Sequence, residues 1–326
     1  MQTKTLELAA AAVALIALLS SLGCDRAEKV VLQREWTANA EFAGDVWASK
    51  VASSHGIELE VREGSELVDP IKMVRSGAAQ FGVASADRIL QENEGGAELV
   101  VIAAATFSSP VVFLTRPEAK IDSPKDMIGR TVGLQPGTNT ELVFLALASS
   151  QHLALSDVKI VDSGWGTQLF ETGAIDVLGA FAYDEPVRLK IKNVPMGRPL
   201  LPEDYGVRYV GTVYFTRKAL VAEQPALVQR FVDALVEGWK KALSQPKEAL
   251  DMLSERYDSV RNDDAKERQS FDVGREYFSG EKGYVLYASQ PRWEGMARSL
   301  QELGKLKSFD FNANVDYRFL SKATGR

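Results

Sequence analysis

Apolar and polar residues follow two different spacings along the chain, and segments of the two kinds alternate. Residues 57–61 alternate apolar and charged side chains, as a half-buried strand does, whereas residues 99–105 form an unbroken apolar run typical of a buried strand. Residues 42–54, 70–76 and 88–93 instead carry apolar side chains at helical spacing. Strands and helices that alternate at these distances predict the βαβ units of a parallel sheet.

A second unit of the same kind begins after Pro110. Its predicted strands are at residues 111–115, 130–132, 158–161 and 175–181. Two units joined by crossings near Pro110 and Tyr209 predict an α/β fold of two lobes, each a mainly parallel sheet flanked by helices, with a ligand cleft between them. We expect lobe 1 to comprise residues 29–110 plus 211–326 and lobe 2 to comprise residues 111–210.

The C-terminal part of the chain is predicted to be mostly helical from Pro225 onward. Apolar residues recur there every four positions and predict a stripe that faces the core: Leu227, Phe231, Leu235, Trp239 and Leu243. Trp239 is therefore interpreted as a core residue rather than a site residue. Residues 256–268 are strongly charged, which predicts a solvated surface.

A glycine turn at residues 133–141 stands between a predicted strand and a predicted helix. Thr138 and Glu141 have the spacing of a capping box, which predicts that the helix begins there. Gly137 allows a close backbone approach, and the first N–H groups of the helix point outward at its positive end. The candidates to hold an acceptor or an anion on a ligand are Gly137, Thr138, Asn139 and Thr140. The alternative is an ordinary strand-to-helix turn.

The first residues have the features of an exported lipoprotein. Residues 8–19 are all leucine, alanine, valine or isoleucine, too short a run to span a bilayer, and small residues precede Cys24. We expect residues 1–23 to be a signal peptide, Cys24 to be lipidated and residues 24–28 to be an anchor, although Ser21 stands where leucine is usual. The alternative is a buried N-terminal helix. Because Cys24 is the only cysteine, no internal disulfide is expected.

Composition narrows the chemistry without identifying it. The chain is 45% hydrophobic and 25% charged, as globular proteins are, and its net charge of −6 argues against nucleic acid as a partner. The two histidines are far apart, and the chain lacks a G-x-S-x-G elbow, a P-loop and a GxGxxG motif. We therefore expect no catalytic residue, no metal site and no cofactor.

Aromatic and polar residues cluster at or just past the predicted strand ends. The aromatic ones are Trp36, Trp165, Phe181, Tyr183 and Tyr214. The polar ones are Ser85, Asp87, Thr138, Asn139, Thr140 and Glu185. Aromatic faces with a few polar groups suit a flat heterocycle with polar edges, and Trp36 is the leading candidate because it lies in a polar loop beyond a strand. For each aromatic residue the alternative is a place in the core.

Several short motifs resemble the periplasmic binding proteins related to thiamine-pyrimidine synthase. Trp36 with residues 41–44 is similar to their first-lobe signature, and residues 123–133 are similar to the start of their second lobe. Residues 184–186, Asp-Glu-Pro, resemble their Asn-Glu-Pro segment with aspartate in place of asparagine. The resemblance extends over nearly all of the mature chain. It implies a cleft built by Trp36, Glu41, residues 137–140 and Glu185.

The resemblance implies a type II solute-binding protein that delivers its ligand to an ABC permease and ATPase. Asp25 follows Cys24, and in the enterobacterial lipoproteins that this start resembles, aspartate there favours retention at the inner membrane. Members of the family bind thiamine pyrimidine precursors, riboflavin or sulfonates. The alternatives are an enzyme on the same fold, such as a pyrimidine synthase or a dehydratase, a binder of sulfonate or nitrate anions, and a periplasmic sensor that does not transport. Glu41 or Phe42 stands where the eukaryotic synthases carry a histidine, which argues against catalysis.

Carboxylates favour one class of ligand. Glu41, Asp87, Asp184 and Glu185 outnumber the basic residues that the sequence places in the cleft. Because a sulfonate or nitrate would need arginine or lysine there, we expect a neutral or cationic heterocycle with N–H donors. An aminopyrimidine is the first expectation and riboflavin is the second.

Overall fold

The computed structural model describes residues 27–324, in which two β-sheets are flanked by helices. In chain order the strands are β1 (Glu28–Gln33), β2 (Ile57–Arg62), β3 (Phe81–Ser85), β4 (Leu99–Ala104), β5 (Val111–Thr115), β6 (Thr131–Leu134), β7 (Lys159–Asp162), β8 (Val177–Phe181) and β9 (Thr212–Arg217). The predicted signal peptide and Cys24 lie outside the described residues.

The helices flank the sheets and dominate the C-terminal part of the chain. They are α1 (Ala43–Val51), α2 (Pro70–Arg75), α3 (Ala86–Glu94), α4 (Asn139–Ser150), α5 (Gln168–Glu171), α6 (Glu185–Ile191), α7 (Lys218–Glu223), α8 (Pro225–Ser244), α9 (Pro246–Arg256), α10 (Asp258–Asn262), α11 (Asp264–Phe278), α12 (Gln290–Glu302), α13 (Phe311–Asn314) and α14 (Arg318–Thr324). Over residues 27–324, none of these helices has the length and apolar character needed to cross a membrane.

Each sheet is mainly parallel and contains one reversed strand. The first sheet has the order β2-β1-β3-β9-β4, in which β1 pairs in parallel with β2 and β3 while β9 is antiparallel to both of its neighbours. The second has the order β5-β8-β6-β7, in which only β5 is reversed. The two-lobed α/β fold expected from the sequence is therefore confirmed, and the chain enters the reversed strand β9 just after the crossing predicted near Tyr209.

The apolar stripe predicted on α8 faces the core of the first sheet. Phe231 stacks on Phe81 of β3 with ring centroids 3.7 Å apart, and Trp239 is fully buried. Tyr214 of β9 is also fully buried, and the Trp239 Nε1–H donates to its hydroxyl at 2.7 Å. Tyr214 is thus a core residue, the alternative that the sequence left open for it.

Two glycines bring α1 against α8. A Cβ atom added at Gly238 would lie 2.5 Å from the Gly44 carbonyl oxygen, and one added at Gly44 would lie 2.1 Å from the Trp239 ring. Only glycine allows so close a crossing. Because α1 directly follows the 3₁₀ turn Ala40–Phe42, this packing also fixes the position of Glu41 at the edge of the sheet.

The solvated surface predicted for residues 256–268 is wrong at the start of α11. Lys266 and Glu267 are only 4% and 5% exposed. Here α11 packs against the 3₁₀ turn Ala40–Phe42, and the Glu267 Oε2 atom accepts the Ala40 N–H at 2.7 Å. Charge alone therefore did not distinguish the buried face of this helix from its solvated face.

Candidate functional site

The residues predicted from the sequence as site residues line one cleft of about 1500 Å³. They are Trp36, Glu41, Ser85, Asp87, Gly137, Thr138, Asn139, Thr140, Trp165, Tyr183 and Glu185. They lie at or beyond the carboxyl ends of β1 and β3 in the first sheet and of β6, β7 and β8 in the second. These strand ends meet in one cleft, as expected for ligand sites in parallel sheets.

The inner corner of the cleft contains a buried ionic network. Arg34, which follows β1, donates from Nη1 to the Asp45 carboxylate and from Nη2 to Glu41 Oε2 at 3.4 Å. The Tyr183 hydroxyl reaches across from the second sheet and donates to Glu41 Oε1. Burial raises the pKa of Glu41, although Arg34 and the Tyr183 hydrogen bond lower it. Both Glu41 oxygens are thus occupied by protein partners, so Glu41 is not a free acceptor for a ligand.

Asp87 is a buried carboxylate in the first turn of α3. It is 4% exposed, and its Oδ1 atom accepts a hydrogen bond of 2.6 Å from the Asn139 side chain across the cleft. Burial and the nearby charge of Glu35 raise its pKa to about 6. Ser85, at the end of β3, does not cap α3 with its side chain; its backbone N–H donates to Glu35 Oε2 at 3.3 Å.

Glu185 is a half-buried carboxylate at the start of α6. Its Oε2 atom accepts the Phe181 N–H at 2.7 Å, which orients the side chain beside the end of β8. Burial and the adjacent Asp184 raise its pKa to about 7. Within the described part of the chain, neither Glu185 nor Asp87 forms a salt bridge. Of the four carboxylates expected to face the ligand, these two are therefore the ones best able to accept N–H groups from it.

Asp184 is not free for a ligand, because α11 supplies a cation. The Lys266 ammonium lies 2.5 Å from Asp184 Oδ1 and 2.9 Å from Glu267 Oε1. Burial lowers the pKa of Lys266, but Asp184 and Glu267 raise it by more, so the side chain is charged. The expectation that carboxylates outnumber the basic residues of the cleft thus overlooked Arg34 and Lys266, which pair with Glu41 and Asp184.

The glycine turn is closed by its own side chains. Gly137 adopts a φ of 75°, and its N–H donates to Glu141 Oε2 at 2.8 Å. The Thr138 hydroxyl donates back to the Gln135 carbonyl oxygen at 2.8 Å and does not cap α4, so the predicted capping box is absent. Thr140 binds the Gln135 side chain at 3.0 Å. Glu141 therefore places a negative charge where an anion would otherwise meet the start of α4.

Two tryptophans meet at the mouth of the cleft. Trp36 follows β1 and Trp165 follows β7, so they come from different sheets. Their ring centroids are 4.5 Å apart at an angle of 36°, and Trp165 is 57% exposed. The rings have the faces and the position needed to cover a flat ligand.

Several charged residues of the cleft were missed from the sequence. They are Arg34, Glu35, Arg88, Arg188, Lys192, Lys266 and Glu267. Arg34 lies in the same strand-end segment as Trp36, and Arg188 is four residues after Asp184 on α6, so position gave a signal for both. No feature of the sequence indicated Lys266 and Glu267, because only the packing of α11 brings them to the cleft.

Comparison with known proteins identifies relatives along the chain. A family model described as NMT1/THI5 like matches residues 53–249. The riboflavin-binding protein RibY of Chloroflexus aurantiacus is 25% identical over 233 residues, which cover 69% of this chain and 65% of that protein. The formylaminopyrimidine-binding protein of Halalkalibacterium halodurans is 24% identical, over 69% of this chain and 70% of that protein.

Solved structures share the fold at low sequence identity. The periplasmic aliphatic sulphonate binding protein SsuA of Escherichia coli superposes with a TM-score of 0.67 at 13% identity, over 90% of this chain and 91% of that one. The desulfurization enzyme DSZB superposes with a TM-score of 0.59 at 17% identity, over 92% and 99%. The same fold therefore occurs in a binding protein and in an enzyme.

Proposed function

Since this chain belongs to the NMT1/THI5-like family, we propose that it is the solute-binding component of an ABC importer and captures a small heterocyclic nutrient in the cleft. Its lobes, residues 29–110 plus 211–326 and residues 111–210, close on the ligand by a hinge near Pro110 and Tyr209. Cross-cleft contacts such as Asn139 to Asp87 are those of a closed arrangement.

The observation that carries this proposal is that two of the four carboxylates expected to face the ligand, Asp87 and Glu185, form no salt bridge within residues 27–324. They come from opposite sheets, so a ligand between them can offer N–H groups to both. A charge-assisted hydrogen bond to either carboxylate contributes about 1.5–3 kcal/mol. The tryptophans Trp36 and Trp165 add an aromatic surface worth about 0.5–1.5 kcal/mol beyond area burial.

Two ligand classes fit this chemistry. Two relatives bear the names of riboflavin-binding and formylaminopyrimidine-binding proteins, and both ligands are flat heterocycles with N–H donors. An aminopyrimidine of the thiamine pathway has an amino group whose N–H bonds would donate to the carboxylates of Glu185 and Asp87. The cleft, at about 1500 Å³, exceeds the roughly 300–1,000 Å³ of a common small-molecule pocket, so a flavin also has room.

A sulfonate is the less suitable ligand for this cleft, although a structural neighbour is named for binding one. The cleft-lining cations Arg34, Arg88, Arg188, Lys192 and Lys266 each contact a carboxylate. Lys72 and Lys305 also line the cleft, but their side chains are exposed. Glu141 further opposes an anion at the start of α4.

Calorimetry against three probes tests the proposal. We expect riboflavin or a formylaminopyrimidine to bind the full chain with a dissociation constant in the micromolar range or below, and an alkanesulfonate not to bind. Small-angle scattering of the same samples should give a smaller radius of gyration with the bound heterocycle than without it. Mass spectrometry of the recovered ligand should show it unchanged, since we propose no catalysis. Tight sulfonate binding, or an altered ligand, would contradict the proposal.

We also propose that the protein is held at the outer face of the inner membrane by a lipid on Cys24. Two or more acyl chains anchor a protein stably, whereas a single chain does not. The Cys24→Ala variant should remain an unprocessed precursor or be released from the membrane fraction. The measurement is the incorporation of labelled fatty acid, with wild type as the reference. A wild-type protein that never takes up the label would show that there is no lipid anchor.

A further inference from the structure

Lys266 connects the two walls of the cleft. It lies on α11, beyond the residues 53–249 that match the family, and its side chain is 4% exposed. Its ammonium contacts Asp184 of the opposite wall at 2.5 Å and Glu267 of its own helix at 2.9 Å. Glu267 in turn holds the Ala40 N–H at 2.7 Å, next to Glu41. One buried cation thus joins the turn before α1 to the segment that carries Glu185.

The charges around Glu185 come from three elements. Asp184 precedes it and Arg188 follows it on α6, and the Phe181 N–H at the end of β8 donates to its carboxylate. From α11, Lys266 acts on Glu185 directly, whereas Glu267 pairs with Lys266 and Asp263 pairs with Arg188. From the turn before α1, Glu41 interacts with Asp184. Asp184 disfavours a charged Glu185, whereas Lys266 favours it.

We infer that Lys266 is a positioning residue that neutralises Asp184 across the cleft and so favours the ionised, accepting form of Glu185, selecting ligands that offer an N–H donor. The inference rests on the proposed function, because it takes Glu185 as the group that reads the ligand. In this scheme Lys266 does not contact the ligand itself. A neutral Glu185 would donate as well as accept, and the preference for N–H donors over carbonyl oxygens would be lost.

The test is a titration of Glu185 in the full chain, which needs no ligand. Protein labelled with ¹³C at glutamate carboxyl groups is followed by NMR, and the Glu185→Gln variant assigns the resonance. The wild-type midpoint should lie near 7. In Lys266→Met it should rise by about one unit or more, because Asp184 loses its counter-charge. In Lys266→Arg it should stay near the wild-type value, because the charge is retained.

Two further variants keep the test decisive. If Lys266→Met does not fold, Asp184→Asn decides, since removal of the repelling charge should lower the midpoint of Glu185. Lys192→Met is the matched control: Lys192 also lines the cleft and pairs with Glu171 at 2.6 Å, but it is not among the charges that act on Glu185. A Glu185 midpoint that does not move in Lys266→Met and Asp184→Asn, or that falls in Lys266→Met, would overturn the inference.

Binding measurements separate this inference from the proposed function. With riboflavin or a formylaminopyrimidine as the probe, Lys266→Met should bind at least about fivefold more weakly than wild type at pH 7 and recover at about pH 8.5, where Glu185 is ionised again. A structural defect alone would not recover with pH. If neither probe binds wild type while the Glu185 titration still moves as expected, the ligand assignment is wrong and the role of Lys266 stands.

Discussion

Replacement of Asp45 by alanine should lower the free energy of unfolding by about 3–5 kcal/mol, the usual cost of breaking a buried ion pair by removing one partner. Asp45 is fully buried and accepts hydrogen bonds from Arg34 and from the Tyr214 hydroxyl. Without it, the Arg34 guanidinium remains buried with Glu41 as its one carboxylate partner among residues 27–324. In the wild type, burial lowers the pKa of Arg34, but Asp45 and Glu41 raise it by more. In the variant the guanidinium still stays charged, because arginine is not deprotonated in proteins, and the cost cannot be escaped by deprotonation.

Urea denaturation measures this loss, and a surface pair of the same helix provides the control. Glu248 contacts Lys50 of α1 at 2.8 Å, with both side chains about half exposed, so Glu248→Ala should cost less than about 1 kcal/mol. Asp45→Asn keeps the side-chain shape and separates loss of charge from the cavity left by alanine. If Asp45→Ala were no more destabilising than Glu248→Ala, the network around Arg34 would not be a determinant of stability.

Replacement of Glu185 by glutamine should weaken binding of the heterocycle about tenfold or more. The charge-assisted hydrogen bond that is lost is worth about 1.5–3 kcal/mol, and each 1.4 kcal/mol is a factor of ten. The matched control is Glu141→Gln, because Glu141 also lines the cleft and also accepts a backbone N–H, that of Gly137 at 2.8 Å. The affinity of the Glu141→Gln variant for the heterocycle should stay within a factor of about two of the wild-type affinity, a difference of less than about 0.5 kcal/mol.

The Glu185→Gln variant should also change the pH dependence of binding. The pKa of Glu185 is raised to about 7, so protonation removes the acceptor as the pH falls through that value. Wild-type affinity should therefore be highest above pH 7 and weaken to about a tenth at pH 6. Glu185→Gln should lose only about half of its affinity by pH 6, and that loss, which continues below pH 6, should belong to Asp87, whose pKa is about 6. A wild-type affinity that is constant from pH 8 to pH 6 would contradict the role of Glu185.

The sequence predicted the position of the cleft better than its electrostatics. Trp36, Asp87 and Glu185 could be found because each follows a strand that its apolar pattern defines, and parallel strand ends meet at one edge. The pairing of Glu41 with Arg34 could not be found, since it depends on the contact between the turn before α1 and the first sheet.

Two local predictions were incorrect, one because of tertiary packing and one because of a competing local hydrogen bond. Lys266 lies in a charged segment whose composition is that of a solvated helix, and only the packing of α11 against residues 40–42 shows that it is buried. Thr138 and Glu141 have capping-box spacing, but the Gly137 N–H competes successfully for the Glu141 carboxylate. Spacing identifies which groups are near each other along the chain, not which of several donors an acceptor takes.

The contact between Trp36 and Trp165 also has an optical consequence. Of the five tryptophans in the chain, Trp47, Trp239 and Trp293 are at most 5% exposed, so their emission should change little when the lobes move. The remaining two have ring centroids only 4.5 Å apart and come from opposite sides of the cleft. Their separation on opening should alter the intrinsic fluorescence and the near-ultraviolet circular dichroism of the protein. The unlabelled chain therefore contains its own reporter of the proposed hinge motion, and a stopped-flow instrument can test whether the two tryptophans separate.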